Sequence, residues 1–288
     1  MFWDIFIQPF YDYGFMRRAL WGCIAISIGA SPVGVFLMLR RMSLTGDALA
    51  CAILPGAAVG FLVSGLSLGA MTIGGLIAGM AVALLSGFVS RLTALREDAS
   101  LAAFYLISLA IGVLIVSTRG SNIDLMHVLF GTVLALDNAA LILLCSITSL
   151  SVVTLAIFFR PLVLECADPQ FLRSVSGLSA ITHFTFLTLV VMNLVGGFQA
   201  LGTLMAVGIM ILPAAAARFW TSSIGGLVSL AIVLALLSSF VGLLLSFYYS
   251  VPSGPAIILV AGVAYSLSLA CGSVDGVITQ LSRRSPIR

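Results

Sequence analysis

Nine stretches of the chain, near 18–39, 48–64, 68–91, 100–117, 138–159, 179–196, 200–217, 224–247 and 253–274, are apolar over lengths that match a bilayer's hydrocarbon core. Inside lipid every backbone N–H and C=O must find a partner within the structure, so runs of this length fold as α-helices. The pattern predicts an all-α polytopic membrane protein of eight or nine transmembrane helices, organised as one transmembrane domain over residues 1–288. Composition agrees, with 61% hydrophobic residues, 8% charged and a mean hydropathy of +1.23. The second stretch is the shortest and contains Pro55-Gly56, which predicts a span broken there. Residues 1–15 are aromatic and mixed, as in a segment lying along the bilayer surface. Gly56/Gly60 and Gly75/Gly79 have the small-x-x-x-small spacing that lets helices approach closely.

The net charge of +3 is carried by thirteen arginines against ten acids, with no lysine. Without lysine the chain can build neither a G-x-x-x-x-G-K phosphate loop nor a lysine Schiff base, so any ATP it uses is bound by another chain. Basic residues in short loops stay cytoplasmic. Nine spans with the N-terminus outside place Arg40, Arg41, Arg91, Arg96, Arg160, Arg173, Arg218, Arg283, Arg284 and Arg288 inside, with Arg17, Arg18 and Arg119 as exceptions. An eight-span arrangement with the N-terminus inside accommodates the Arg17-Arg18 pair; both arrangements keep 160–178 cytoplasmic. That loop is the longest polar stretch and carries Glu165, Asp168, Pro169, Arg173 and Gly177. Its Asp-Pro start and Ser-Gly end predict a short helix over about 169–176, either a dock for a partner or a solvated connection.

Between the first two apolar stretches lies a polar island, residues 40–56, in which Asp47 opens the second span. An ionisable group there faces a bundle interior or a water-filled cavity, because facing lipid costs roughly 2.5–3.5 kcal/mol on insertion scales. On a helix Asp47 and Cys51 are i and i+4 and share a face, a carboxylate above a thiol that suits a cation. The same residues also fit a helix cap, with Asp47 at the N-cap and Cys51 as a small apolar residue.

A second polar constellation, between the fourth and fifth stretches, holds Asp124 and His127 at i, i+3, a borderline-metal pair or a carboxylate that orients an imidazole. His183 stands alone near the inner end of the sixth span and reads as structural. The five cysteines, Cys23, Cys51, Cys145, Cys166 and Cys271, are too scattered for a disulfide framework or a zinc knuckle. Gly65-Leu66-Ser67-Leu68-Gly69 matches G-x-S-x-G, the pattern of an intramembrane serine protease using Ser67, but it falls in a short connection without strand–turn–helix context or an assigned histidine.

The run Arg40-Arg41-Met42-Ser43-Leu44-x-Gly46-Asp47-Ala48-Leu49-x-x-Ala52-Ile53-Leu54-Pro55-Gly56 resembles the signature stretch of membrane subunits of ABC importers for zinc, manganese and iron. Glu97-Asp98-Ala99-Ser100-Leu101, Asp124-Leu125-x-His127-x-Leu129-Phe130-Gly131, Leu212-Pro213-Ala214-Ala215-x-Ala217 and Gly254-Pro255-Ala256-Ile257 resemble further blocks of that family in the same order, over about 15–275. The resemblance implies a homodimeric permease in a bacterial inner membrane, without its own ATP site. Its partners would be two cytoplasmic ATP-binding subunits and an extracytoplasmic metal-binding protein; no nucleic acid is involved. It implies a transported divalent metal, zinc first and manganese next, moved by alternating access past Asp47, Cys51, Asp124 and His127. Glu165, Asp168, Pro169, Arg173 and Gly177 would couple to the ATPase. The chain departs from the family at Cys51, where histidine is usual; a thiolate favours zinc over manganese. An autonomous secondary metal carrier is the competing reading.

Overall fold

The computed structural model describes residues 8–64, 67–93, 97–119, 136–168, 171, 178–274 and 276, and these form helices and their connections with no strand among them. In chain order the helices are α1 (Gln8–Asp12), α2 (Gly14–Leu39), α3 (Thr45–Ser64), α4 (Leu68–Leu92), α5 (Glu97–Arg119), α6 (Asn138–Ala167), α7 (Leu178–Leu201), α8 (Thr203–Ala217), α9 (Ile224–Tyr249) and α10 (Ser253–Cys271). Eight of them, all except α1 and α8, are long and apolar enough to cross a membrane. Helix α8 has 15 residues, about 22 Å at ~1.5 Å per residue. It follows α7 after Gly202 alone, whose φ of 92° lies where a side chain would be strained.

Helix α2 is the axis of the bundle and the most buried of the eight, packed by α6, α7, α8 and α9. Apolar packing alone does not distinguish helix from lipid, so buried hydrogen bonds help fix the helix pairs. Thr148 Oγ1 donates to the Ala25 carbonyl (3.1 Å), Asn193 Nδ2 to Ser151 Oγ (2.8 Å) and Ser31 Oγ to the Ile209 carbonyl (3.4 Å). Helices α3 and α4 form the tightest pair: a Cβ on Gly56 would strike the Gly74 carbonyl, and one on Gly60 the Ala70 carbonyl. Gly75 and Gly79 instead receive the Ile53 side chain.

The structure departs from the sequence reading in two places. Helix α3 passes through Pro55 unbroken, its proline ring seated against Gly112 of α5; a neighbouring helix can support a proline that would break an isolated one. Helix α6 continues eight residues past 159, so the expected loop begins at Asp168. Its extra turns bury Leu162 and Glu165. At the N-terminus Phe10 is buried and stacks on Phe240 of α9, with ring centroids 5.3 Å apart, tying α1 to the bundle.

Candidate functional site

Between α2 and α3 the chain turns through 40–44. Arg41 N–H donates to the Met38 carbonyl (3.0 Å) and Met42 N–H to the Leu37 carbonyl (2.9 Å), the paired bonds of a Schellman termination with its left-handed residue at Arg41, φ 59°. Glycine usually occupies that position; here Met42 is buried behind it and holds the turn. The turn sends the chain back inward. Gly34 of α2 abuts the backbone carbonyl of Met210 in α8, and Gly46 at the start of α3 abuts the end of the same residue's side chain. Asp47 faces Leu204, Val207 and Gly208 of α8 and Ile258 of α10 across one groove.

Helix α3 starts at Thr45, which puts Asp47 in the first turn and not at the N-cap. Its side chain is exposed, and Cys51, one turn on, is a half-buried free thiol. The two form a ridge between two grooves. One, about 240 Å³, is completed by Asp98, Leu101, Ala102 and Tyr105 of α5; the other, about 340 Å³, by Thr203, Leu204, Val207 and Gly208 of α8 and Ile258 of α10. Asp98 adds a second carboxylate beside Asp47, and its buried Oδ1 has no hydrogen-bond partner among the described residues. In the sequence Asp98 stands out only as part of the Glu97–Leu101 block. Its seven-residue spacing from Tyr105, which places both on one face of α5, was the available signal.

Among the described residues no three His, Cys, Asp or Glu side chains are grouped to hold a metal ion. The single chain thus offers Asp47, Cys51 and Asp98 along one cleft instead of a closed coordination shell. Asp124 and His127 lie outside the described residues, as do Pro169, Arg173 and Gly177.

Asp168 is extended (φ −147°, ψ 93°) and exposed, and its Oδ1 accepts from Phe171 N–H at 3.0 Å. A carboxylate bonded to the N–H three residues on is an N-cap contact, and proline is favoured immediately after an N-cap. Glu165 is different: only 7% exposed, it pairs with Arg40 through Nη2–Oε2 at 3.1 Å and faces the bundle. His183 is buried near it and accepts from Arg40 Nη1 on Nδ1 at 3.2 Å. Ser67 is an exposed residue preceding α4, whereas His183 neighbours Gly87. These sites are twenty residues apart along α4, ~30 Å by helix rise, so the two cannot form a nucleophile–base pair.

Comparison with known proteins agrees with this architecture. The family model described as "ABC 3 transport family" matches residues 12–272. The manganese transport system membrane protein MntC of Halalkalibacterium halodurans is 30% identical over 279 residues, covering 96% of this chain and 94% of that protein. The manganese import system permease protein ScaB of Streptococcus parasanguinis is 30% identical over 263 residues, covering 91% and 92%. Among solved structures, PsaBC from Streptococcus pneumoniae in complex with Fab superposes with a TM-score of 0.83 at 26% identity, covering 98% of this chain and 100% of that one.

Proposed function

We propose, since this chain belongs to the ABC 3 transport family, that it is the permease through which an ATP-driven importer moves divalent transition-metal ions past Asp47 and Cys51. It is a multi-pass protein of the bacterial inner membrane and a transport subunit, ATP being hydrolysed by a separate subunit. The observation that carries the reading is Asp47, a carboxylate exposed on the outside of the single chain in a groove whose facing wall, Leu204, Val207, Gly208 and Ile258, is apolar. Facing lipid, such a charge is costly; facing a water-filled interface, it is a pathway residue.

The interface we propose is with a second copy of the chain, so that Asp47 and Cys51 of each meet across one cavity. Few ligands from each copy hold the ion weakly enough to release it, where a closed four-ligand site would retain it. Asp98 widens the acidic wall, and Asp124 and His127, in the connection between α5 and α6, are candidates by their chemistry. Two ATPase subunits would engage the connection carrying Asp168, Pro169, Arg173 and Gly177, and an extracytoplasmic metal-binding protein would deliver the ion. Manganese is the ion in the relatives' names, so it is the first cargo to test, while Cys51 gives the path a softer ligand that draws zinc.

The test is uptake of radioactive manganese and zinc by cells lacking other importers, with and without active ATPase subunit. Wild-type uptake should require the ATPase. Asp47→Asn keeps size and removes charge; it should cut uptake about ten-fold or more, equivalent to ~1.4 kcal/mol, at unchanged membrane levels. Near wild-type uptake by Asp47→Asn would place the pathway elsewhere, and ATPase-independent uptake would make the protein a secondary carrier.

A further inference from the structure

The geometry points to Glu165 as the positioning residue through which the 169–177 connection acts on the Asp47 segment, by exchanging its carboxylate between Arg40 and Arg91. The inference rests on the permease reading above and names the internal link that such a permease requires.

Four helix ends meet in this cluster. Arg40 caps the C-terminus of α2, Arg91 lies in the last turn of α4, Glu165 is near the end of α6, and Ser179 and His183 open α7. Glu165 precedes Asp168 by three residues and Ser179 follows Gly177 by two, so both roots of the connection enter the same cluster. Ser179 Oγ donates to Glu165 Oε1 at 3.5 Å, and its carbonyl accepts from Arg91 Nη2 at 3.1 Å. On the other side, Arg40 is the first residue of the turn that aims α3 and with it Asp47. A displacement of the α6–α7 roots therefore reaches the Asp47 segment through one ion pair.

The charges make that pair an exchanging element. One carboxylate bridges two guanidinium groups, Oε2 to Arg40 Nη2 at 3.1 Å and Oε1 to Arg91 Nη2 at 3.9 Å. A shift of under an ångström makes Arg91 the nearer partner, and the carboxylate is never left without a cation. Arginine has no acceptor, so His183 Nδ1 accepts from Arg40 Nη1 at 3.2 Å. The rings of Phe186, 4.4 Å from the Arg40 guanidinium carbon, and Phe184, 5.5 Å from that of Arg91, give each arginine a resting place when the carboxylate is nearer the other. A buried ion cluster is weak evidence for stability, and its best-attested use is to specify one arrangement over another. Elements that pass a signal are those with two discrete packings.

The experiment uses the complete complex in liposomes, permease with its ATPase and metal-binding subunits, manganese(II) as the probe, and a permease whose only cysteine is Cys51. Two quantities are read: manganese imported per ATP hydrolysed, and the change in Cys51 alkylation rate on adding ATP. Arg91→Gln removes one partner while leaving the Arg40–Glu165 pair intact. It should retain ATP hydrolysis yet lose most of the imported manganese per ATP and the ATP-dependent change at Cys51. Arg91→Lys, which restores a cation, should recover both. Glu165→Gln should lose both as well; because it leaves Arg40 and Arg91 without their carboxylate, the Arg91 variants decide the matter if it fails to fold. A purely structural cluster would lower folded yield without altering either quantity per folded complex. With wild-type coupling intact, an Arg91→Gln protein that keeps the wild-type ratio and Cys51 response overturns this inference alone. A wild-type complex without ATP-dependent uptake overturns the permease reading and the inference together.

Discussion

Ser108 of α5 donates its hydroxyl to the carbonyl of Ala52 in α3 at 3.3 Å, three residues before Pro55. Proline removes one intrahelical donor and crowds the preceding turn, so carbonyls there look outside the helix for partners. With Gly112 against the Pro55 ring, this bond explains how α3 keeps its course beside the candidate pathway. Ser108→Ala should destabilise the protein by about 0.5–1.5 kcal/mol, the usual net worth of such a bond. Gly112→Leu should do considerably more, since the added side chain has no room beside Pro55. Thermal unfolding in detergent checks the order; equal midpoints for both variants and wild type would remove α5 as the support of the proline.

Arg41 occupies the left-handed position of the turn that ends α2. An L-residue there costs roughly 1–2 kcal/mol that glycine avoids. Arg41→Gly should therefore raise the unfolding midpoint by a few degrees, partly offset by the greater freedom of glycine in the unfolded chain. The guanidinium is exposed and takes no part in the Arg40–Glu165 pair, so uptake should persist. A lower midpoint would mean that Arg41 contributes a contact outweighing its backbone strain.

Cys51 decides whether the pathway carries a thiol ligand. A small alkylating reagent should modify it in metal-free protein, and zinc should slow the reaction more than manganese does, following ligand softness. Cys51→His should keep uptake and shift the zinc-to-manganese preference toward manganese, while Cys51→Ala should lower zinc uptake at normal expression. Zinc uptake at the wild-type rate by Cys51→Ala, with labelling indifferent to both metals, would reduce Cys51 to a packing residue.

The connection after α6 is the place to test coupling. Asp168→Ala removes the carboxylate that accepts from Phe171 N–H, and loss of such a cap typically costs ~1 kcal/mol of local stability. Together with charge reversal at Arg173, it should weaken stimulation of the ATPase by the permease and leave the membrane fold unchanged by circular dichroism. Wild-type uptake and stimulation in the double variant would remove this segment from the docking role.

Most of the fold was legible in the sequence because a membrane imposes its rule locally: each crossing segment must be long, apolar and internally hydrogen-bonded whatever its neighbours do. The apolar stretches accordingly reappear as helices, with Thr203–Ala217 as the short one. The resemblance carried by residues 40–56 and the later blocks was likewise readable, and the family match over 12–272 agrees with it. Of the candidate site, the sequence supplied the shared face of Asp47 and Cys51, since an i, i+4 relation needs only a helix. Tertiary structure decided the rest. The apolar wall facing Asp47 comes from Val207 and Gly208 of α8 and Ile258 of α10, and Asp98 joins the cleft through the packing of α5 on α3. Glu165, which the sequence places in a polar loop, is buried because Arg40 lies 125 residues earlier in the chain and within 3.1 Å in space. No local pattern records such a pairing, because whether a charge faces solvent or a buried partner depends on which helix ends the fold brings together.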